Sequence, residues 1–287
     1  MVCWIFAAPA GLFLLALLAI FAWQALPVWR TEAATHLTGV LWFYRQRLFG
    51  AAPMIYGSAA VSLIAMCLAV PMGVGAAICA SELLPRRARF AVKLLIELLA
   101  GIPSVVYGLL GILCLRNWVY RLLEPFDPLS GDTLLTAGIL VGVMVLPTVM
   151  TLSEDALRGV PSLQRQAARA LGLTQFETIR STVLPQAGRG IAAAVLLAFG
   201  RSLGEMIAVF LVVGRQDNQW PESLASLRKF IEPGQTLASK LGGSEVNIAY
   251  GDPLHWAAMV SLALLLLVIV AAVTMLSFKF LHRDPDA

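Results

Sequence analysis

The sequence predicts an all-α integral membrane protein of about six transmembrane helices, and three observations carry that prediction. The first is composition: 59% of the 287 residues are hydrophobic and 13% are Asp, Glu, Lys or Arg, whereas soluble domains carry about 25% charged residues. With a mean hydropathy of +0.80, the chain lacks the charge to coat a soluble surface, and one membrane domain uses the whole length. The second is that six apolar segments approach the roughly 20 residues needed to cross about 30 Å of hydrocarbon. The third is that Lys and Arg collect in alternate connecting loops, the bias of a chain that threads a membrane. Backbone polar groups in lipid must pair within their own segment, so the spans are helices.

The first apolar segment covers residues 5–26. No Lys or Arg precedes it and its run exceeds a signal-sequence core, so it reads as a span that is kept. Between Leu37 and Phe49 the chain reads LTGVLWFYRQRLF. Aromatics interleaved with Arg predict a short helix lying on the lipid headgroups. Residues 1–56 thus form a first span with an external interfacial segment, and residues 57–287 form the core.

Spans two to six are expected at 57–80, 94–115, 133–152, 191–213 and 254–280. Pro71, Gly73 and Gly75 interrupt the second, Gly101, Pro103, Ser104 and Gly108 the third, and Pro147 the fourth. Such breaks are candidate hinges, because proline removes a helical hydrogen bond and kinks the rod. The loop 81–93 holds Arg86, Arg87, Arg89 and Lys93 against Glu82 alone, and the loop 153–190 holds five Arg against three acids. Loops 116–132 and 214–253 each carry one more acid than base. This places the second and fourth loops in the cytoplasm, with both termini inside. Arg30, Arg45 and Arg47 in the first loop run against the rule. The loop 214–253, with Trp220, Pro221, Pro233, Gly234, Gly242 and Gly243, reads as an irregular external lid.

The polar loop at about 154–190 reads EDALRGVPSLQRQAARALGLTQFETIRSTVLPQAGRG. Pro161 and Ser162 open a helix, Ala167, Ala170 and Leu171 recur at helical spacing, and Gly172 ends the turn. A second helix from about Gln175 carries Phe176, Ile179 and Val183 on one side and is stopped by Pro185. Arg165, Arg169 and Arg180 project. This is a folded docking surface, or alternatively an amphipathic pair lying on lipid.

Arg201 and Glu205 lie inside the fifth span. A charge at the bilayer centre costs about 2.5–3.5 kcal/mol on insertion scales. Four residues apart, the two share a helical face and can neutralise each other. Gly200 and Gly204 form a small-residue pair that lets a neighbouring helix approach. The pair either fixes register between helices or lines the pathway of an anion, since a guanidinium fork suits oxyanions. Ser104 and Tyr107 are further candidates for that pathway.

Several chemistries are missing. No GxxxxGK[ST], HExxH or GxSxG run occurs, which excludes a P-loop and the common hydrolase signatures. Cys3, Cys67, Cys79 and Cys114 form no CxxC, and His36, His255 and His282 make no metal-ligand spacing, so no metal site is expected. No basic tract with interleaved aromatics points to nucleic acid. An enzyme is therefore not expected.

The run QAARALGLTQFETIRSTVLP resembles the EAA loop of ABC-importer permeases. Ala167, Ala168, Gly172, Leu184 and Pro185 match in register, while Gln166 stands where the family has Glu and Thr182 where it has Ile. FGAAPMIYGS at 49–58, VPMGVGAAICASEL at 70–83, ELLAGIPSVVYGLLG at 97–111 and FGRSLGEMIAVFLVVG at 199–214 are similar to the phosphate-importer permeases. The run SLGEMIAV resembles the PstC type more than the PstA type, which has an IGETAPL-like run there. The resemblance implies the type I importer (MetI-like) architecture. It implies that Gln166, Ala167, Ala168, Gly172, Leu184 and Pro185 couple to a separate ATPase, and that Arg201 and Glu205 sit in the phosphate-permease motif. It also implies partners: a PstA-like permease subunit, a pair of ATP-binding subunits that use ATP and Mg, and an extracytoplasmic phosphate-binding protein, all around a chain in the bacterial inner membrane that binds no cofactor itself. Alternatives remain: another oxyanion or a phosphonate as cargo, a PstA-type partner role, or a membrane scaffold that senses phosphate.

Overall fold

The computed structural model describes residues 2–30, 37–221 and 227–281; His36 and His282 and part of the 214–253 loop lie outside them. It is built almost wholly of helices. α1 is Val2–Trp29 and α2 is Ala52–Ile78, the latter continued by a π-helical turn at Cys79–Leu83. α3 is Arg86–Gly101, α4 is Ser104–Leu110 and α5 is Arg116–Leu123, with a second π turn at Gly111–Leu115 between the last two. α6 is Leu134–Arg158, α7 is Ser162–Ala170, α8 is Gln175–Thr178 and α9 is Leu184–Leu203. α10 is Ile207–Val212, α11 is Leu237–Leu241, α12 is Glu245–Ala249 and α13 is Pro253–Leu281. Among the described residues, five rods are long and apolar enough to cross a membrane: Ala52–Leu83, Ser104–Phe126, Leu134–Arg158, Gln175–Leu203 and Pro253–Phe280. The 28-residue α1 is the sixth apolar rod.

The core is the seam between α2 and α6. Ala60, Val61, Ala65 and Ala69 meet Ala137, Leu140, Val141, Val145 and Val149, all buried. Small residues permit this, because packing in lipid relies on close backbone approach. A Cβ on Gly138 would lie 2.5 Å from the Ile64 Cβ, which leaves no room for any side chain there. A second cluster joins α1, α2, α11, α12 and α13 at one end of the bundle. A third, with Ala77, Ala80, Met150, Leu157, Val160, Val183 and Ala187, closes the opposite end.

Five local expectations are corrected. The segment after residue 37 is a hairpin, not a helix: Trp42–Phe43 pairs antiparallel with Leu48–Phe49, and Arg47 turns the chain at φ 57°. Its aromatics alternate between faces, with Trp42 and Phe49 buried and Phe43 exposed, which is strand behaviour. The third span is not 94–115. Arg86–Gly101 forms its own helix, Pro103 blocks its continuation, and the span runs over Ser104–Phe126. Pro71 and Pro147 do not interrupt their spans, since α2 and α6 continue through them. Pro185 does not stop the second docking helix. A π turn at Ile179–Val183 widens the rod just before it, so the missing N–H and the bulky ring are accommodated, and Gln175–Leu203 is one continuous element. The fifth span is interrupted instead at 204–206, between α9 and α10.

Candidate functional site

Arg201 sits in the last turn of α9, where a cation is favoured by the helix dipole. Its side chain is exposed on the surface of this chain. It does not pair with Glu205. The helix ends at Leu203, so the two residues no longer share one helical face, and Glu205 belongs to no ion pair among the described residues. The Arg201 Nη1 instead donates to Thr148 Oγ1 at 3.0 Å. Thr148 lies midway along α6, one residue after Pro147. The Tyr107 hydroxyl donates to the Leu99 carbonyl at 2.9 Å and so bridges the break at Pro103. Ser104 is the first residue of α4 and is half-buried. Arg201 and Thr148 therefore tie the end of α9 to the middle of α6, while Tyr107 is bonded within its own segment. Glu205, half-buried in the unwound stretch, is not joined to them. Thr148 is the member that sequence reasoning missed; a hydroxyl residue directly after the proline of an apolar span was its only signal.

The two glycines divide their roles. A Cβ on Gly200 would face Thr274 Oγ1 at 3.6 Å and Val273 at 3.7 Å, so this residue does lie against α13. Gly204 faces only its own helix's carbonyls and caps α9.

At the opposite end, α7 and α8 form the expected helix pair. Pro161, not Ser162, occupies the cap of α7, and Gly172 makes the turn at φ +86° with open space around it. Thr174 caps α8 and forms a reciprocal capping box with Glu177. The predicted buried side is only partly buried: Ala168, Ile179 and Val183 face inward, but Leu163, Leu171 and Phe176 are 74%, 84% and 71% exposed. Gln166, Ala167 and Pro185 are exposed too, and Leu184 is half-buried. Arg165 does not project. Its Nη2 bonds Glu82 Oε1 at 2.9 Å and the Leu157 carbonyl at 2.7 Å, and Gln175 Nε2 donates to the Glu82 carbonyl at 2.6 Å. The π turn after α2 thus clamps the helix pair, and an apolar face of that pair is left open.

The long 214–253 loop is more than a lid. Residues 233–240 are buried throughout, and the Gly57 position of α2 meets the Gln235 carbonyl so closely that a Cβ would lie 2.0 Å from it. Lys240, 2% exposed, bonds Asp217 at 2.6 Å and also bonds Glu245, while Glu245 holds Trp42 Nε1 and, at 3.0 Å, His255 Nε2. Burial pushes the Asp217 carboxyl up despite Lys240. For Glu245, burial raises but is outweighed by the Lys240 and Trp42 bonds, which hold it below the usual range. This network joins the hairpin, the loop and α13. Lys240→Met leaves two carboxylates without their cation, and the full-length protein loses about 3–5 kcal/mol of stability, the cost of breaking a buried pair. Thermal melting in detergent measures this, and an unchanged melting temperature contradicts it.

Residues 69–284 match the model of the family described as binding-protein-dependent transport system inner membrane component. The chain is 33% identical over 278 residues to the phosphate transport system permease protein PstC of Mesorhizobium japonicum, covering 91% of this chain and 81% of that one. It is 41% identical over 182 residues to the phosphate transport system permease protein PstC 1 of Mycobacterium tuberculosis, covering 58% and 54%. Among solved structures, it resembles a chain of the inward-facing MetNI methionine ABC transporter, at 16% identity and TM-score 0.57, covering 78% of this chain and 91% of that one. It also resembles a chain of a bacterial ABC transporter that imports alginate, at 15% identity and TM-score 0.57, covering 97% and 99%.

Proposed function

The chain belongs to the family of binding-protein-dependent transport system inner membrane components, and from that premise we propose how it works as the multi-pass membrane subunit of an ATP-driven phosphate importer. The subunit itself is non-catalytic; hydrolysis belongs to a partner ATPase. One observation carries the mechanism: a continuous rod, Gln175–Leu203, has an exposed apolar face beside its start and an exposed arginine bonded to Thr148 at its end. A rod of 29 residues spans about 43 Å at 1.5 Å per residue. Movement of its base therefore reaches Arg201 with no intervening joint.

The ATPase grips Leu163, Leu171 and Phe176 together with Gln166, Ala167, Ala168 and Gly172. The Arg165–Glu82 clamp makes α2 move with them. Nucleotide-driven closure in the ATPase pair, fed by ATP and Mg, then shifts α9 against α6. Arg201 and Thr148 hold the passing anion, with Tyr107 and Ser104 on the wall opposite. The unwound stretch at 204–206 lets the end of the rod pivot under α10, which is packed on α4. Glu205 keeps the mouth of the passage from trapping the anion too tightly. A PstA-like subunit supplies the second half of the passage and covers the exposed Arg201, and an extracytoplasmic phosphate-binding protein delivers the cargo. Both termini and the 154–190 loop lie in the cytoplasm.

The expected result is ATP-dependent accumulation of labelled phosphate by vesicles holding the complex that co-purifies with this chain, undiminished by excess sulfate or molybdate. Equal competition by a phosphonate or molybdate overturns the cargo, and accumulation that needs no ATP overturns the importer.

A further inference from the structure

α3 is a helix that the transport reading leaves without a role. Its 16 residues start directly after the π turn that carries Glu82 and end at the break before Pro103. It lies at the docking end of the bundle. Val92 and Ile96 pack on the cluster containing Ala80, Leu157 and Val183, and Arg89 donates through Nε and Nη2 to the carbonyls of Ala80 and Ser81, each at 2.6 Å. The outer side is apolar and uncovered: Phe90, Leu94, Leu95 and Leu98 are 71%, 47%, 61% and 61% exposed. Phe90, Leu94 and Leu98 recur every four residues, so they form a single stripe along the helix.

At the basic end of this stripe, Arg87, Arg89, Phe90, Lys93 and Arg158 line a cavity of about 690 Å³. Four cations therefore face one space. Among the described residues, the only carboxylate paired with any of them is Glu154, bonded to Arg158 at 2.5 Å. Among the described residues, neither Arg87 nor Lys93 belongs to an ion pair. With Arg89 bonded to carbonyls and Arg158 paired with Glu154, Arg87 and Lys93 leave two positive charges facing the cavity beside the exposed apolar stripe.

We propose that this face of α3 with the end of α6 binds an anionic phospholipid, whose phosphate sits among Arg87, Lys93 and Arg158 while an acyl chain lies along Phe90, Leu94 and Leu98. The joined charge and apolar stripe select the occupant. Free phosphate satisfies the cations but not the stripe, and a neutral lipid satisfies the stripe but not the cations. The site rests only on the chain spanning a membrane, so it stands whatever the cargo is. Its position has a consequence, because α3 continues the turn that clamps the docking helices: a lipid held there braces the Glu82–Arg165 clamp.

The test uses the full-length protein in its co-purified complex, with phospholipids retained after detergent exchange counted by native mass spectrometry. The wild-type protein is expected to retain phosphatidylglycerol in preference to phosphatidylcholine, and excess inorganic phosphate leaves that retention unchanged. The double variant Arg87→Gln, Lys93→Gln is expected to lose about 25-fold in retention, a factor of about five for each cation near the membrane surface. The charge-preserving pair Arg87→Lys, Lys93→Arg retains the lipid. Equal retention by the glutamine variant overturns the site, as does displacement of the lipid by inorganic phosphate. If the glutamine variant does not fold, the wild-type protein decides: no preference between the two lipids overturns the proposal.

Discussion

Arg201→Gln is expected to abolish phosphate uptake while the assembled complex persists. The side chain is exposed on the isolated subunit and its one described bond runs to Thr148, so removing it opens no cavity in the core. The loss falls on the anion. A hydrogen bond to a charged group contributes about 1.5–3 kcal/mol, so each one lost slows passage by roughly tenfold to 100-fold. Arg201 offers two such bonds to an oxyanion, and with both gone uptake drops to background. The cost of placing the residue there supports the same outcome. A cation in the membrane carries an insertion penalty of about 2.5–3.5 kcal/mol, and among the described residues no carboxylate pairs with Arg201 to relieve it. Arg201→Lys keeps the charge but not the planar fork, and uptake recovers only in part. Thr148→Val removes the anchor alone and costs less than either change at Arg201. The measurement is phosphate uptake by vesicles, with complex assembly followed by gel filtration. Uptake near the wild-type level for Arg201→Gln removes this residue from the pathway.

Phe176→Asp is expected to separate the importer from its engine. Phe176 is 71% exposed, so the subunit does not need it to fold, and its melting temperature stays unchanged. Docked in a groove, a Phe side chain contributes about 1.5–3 kcal/mol from burial. A carboxylate in its place adds the penalty of burying an unpaired charge, which on its own exceeds that gain. Docking weakens by at least about 100-fold from the two effects together. The ATPase no longer co-purifies, and phosphate uptake is lost with it. Leu171→Asp behaves alike, since Leu171 lies beside the Gly172 turn on the same open face. Arg169→Gln, on the polar side of α7, has little effect. An ATPase that still co-purifies in full with Phe176→Asp shows that the docking face lies elsewhere.

The two variants fail differently. Arg201→Gln leaves a coupled complex that hydrolyses ATP without moving phosphate, whereas Phe176→Asp leaves an intact passage with nothing to drive it. ATP turnover by the isolated complexes tells them apart.

Much of this was legible in the residues. The apolar runs located four of the six rods to within about six residues at each end, because the demand that a backbone pair with itself in lipid depends on composition alone; the third and fifth were displaced. The helix pair at 154–190 was legible because proline and glycine mark helix ends by local geometry: Pro161 caps α7, and Gly172 takes the left-handed turn that the sequence pattern asks of it, while the Thr174 cap of α8 was not read from the sequence. What failed did so for lack of long-range information. Apolarity did not separate α3 from the span that follows, since Leu94, Leu95 and Leu98 are as apolar as any membrane-facing stripe, and only the fold shows that they ride on a helix that stops before Pro103. The i, i+4 spacing of Arg201 and Glu205 implied a pair only if the helix continued, and it ends at Leu203.

The sequence by itself determined that the chain has about six apolar rods fit to cross a membrane, that it carries a helical elbow around Gly172 and that an arginine stands in the fifth of its apolar segments, because these follow from composition and from neighbours a few residues apart. Only the tertiary structure decided that Arg201 bonds Thr148, that Glu82 clamps Arg165, and that Lys240 is locked between Asp217 and Glu245. Those partners lie 53, 83, 23 and 5 residues apart along the chain. Most such separations exceed the reach of any local pattern, and the contacts form only when packing of whole helices brings them together.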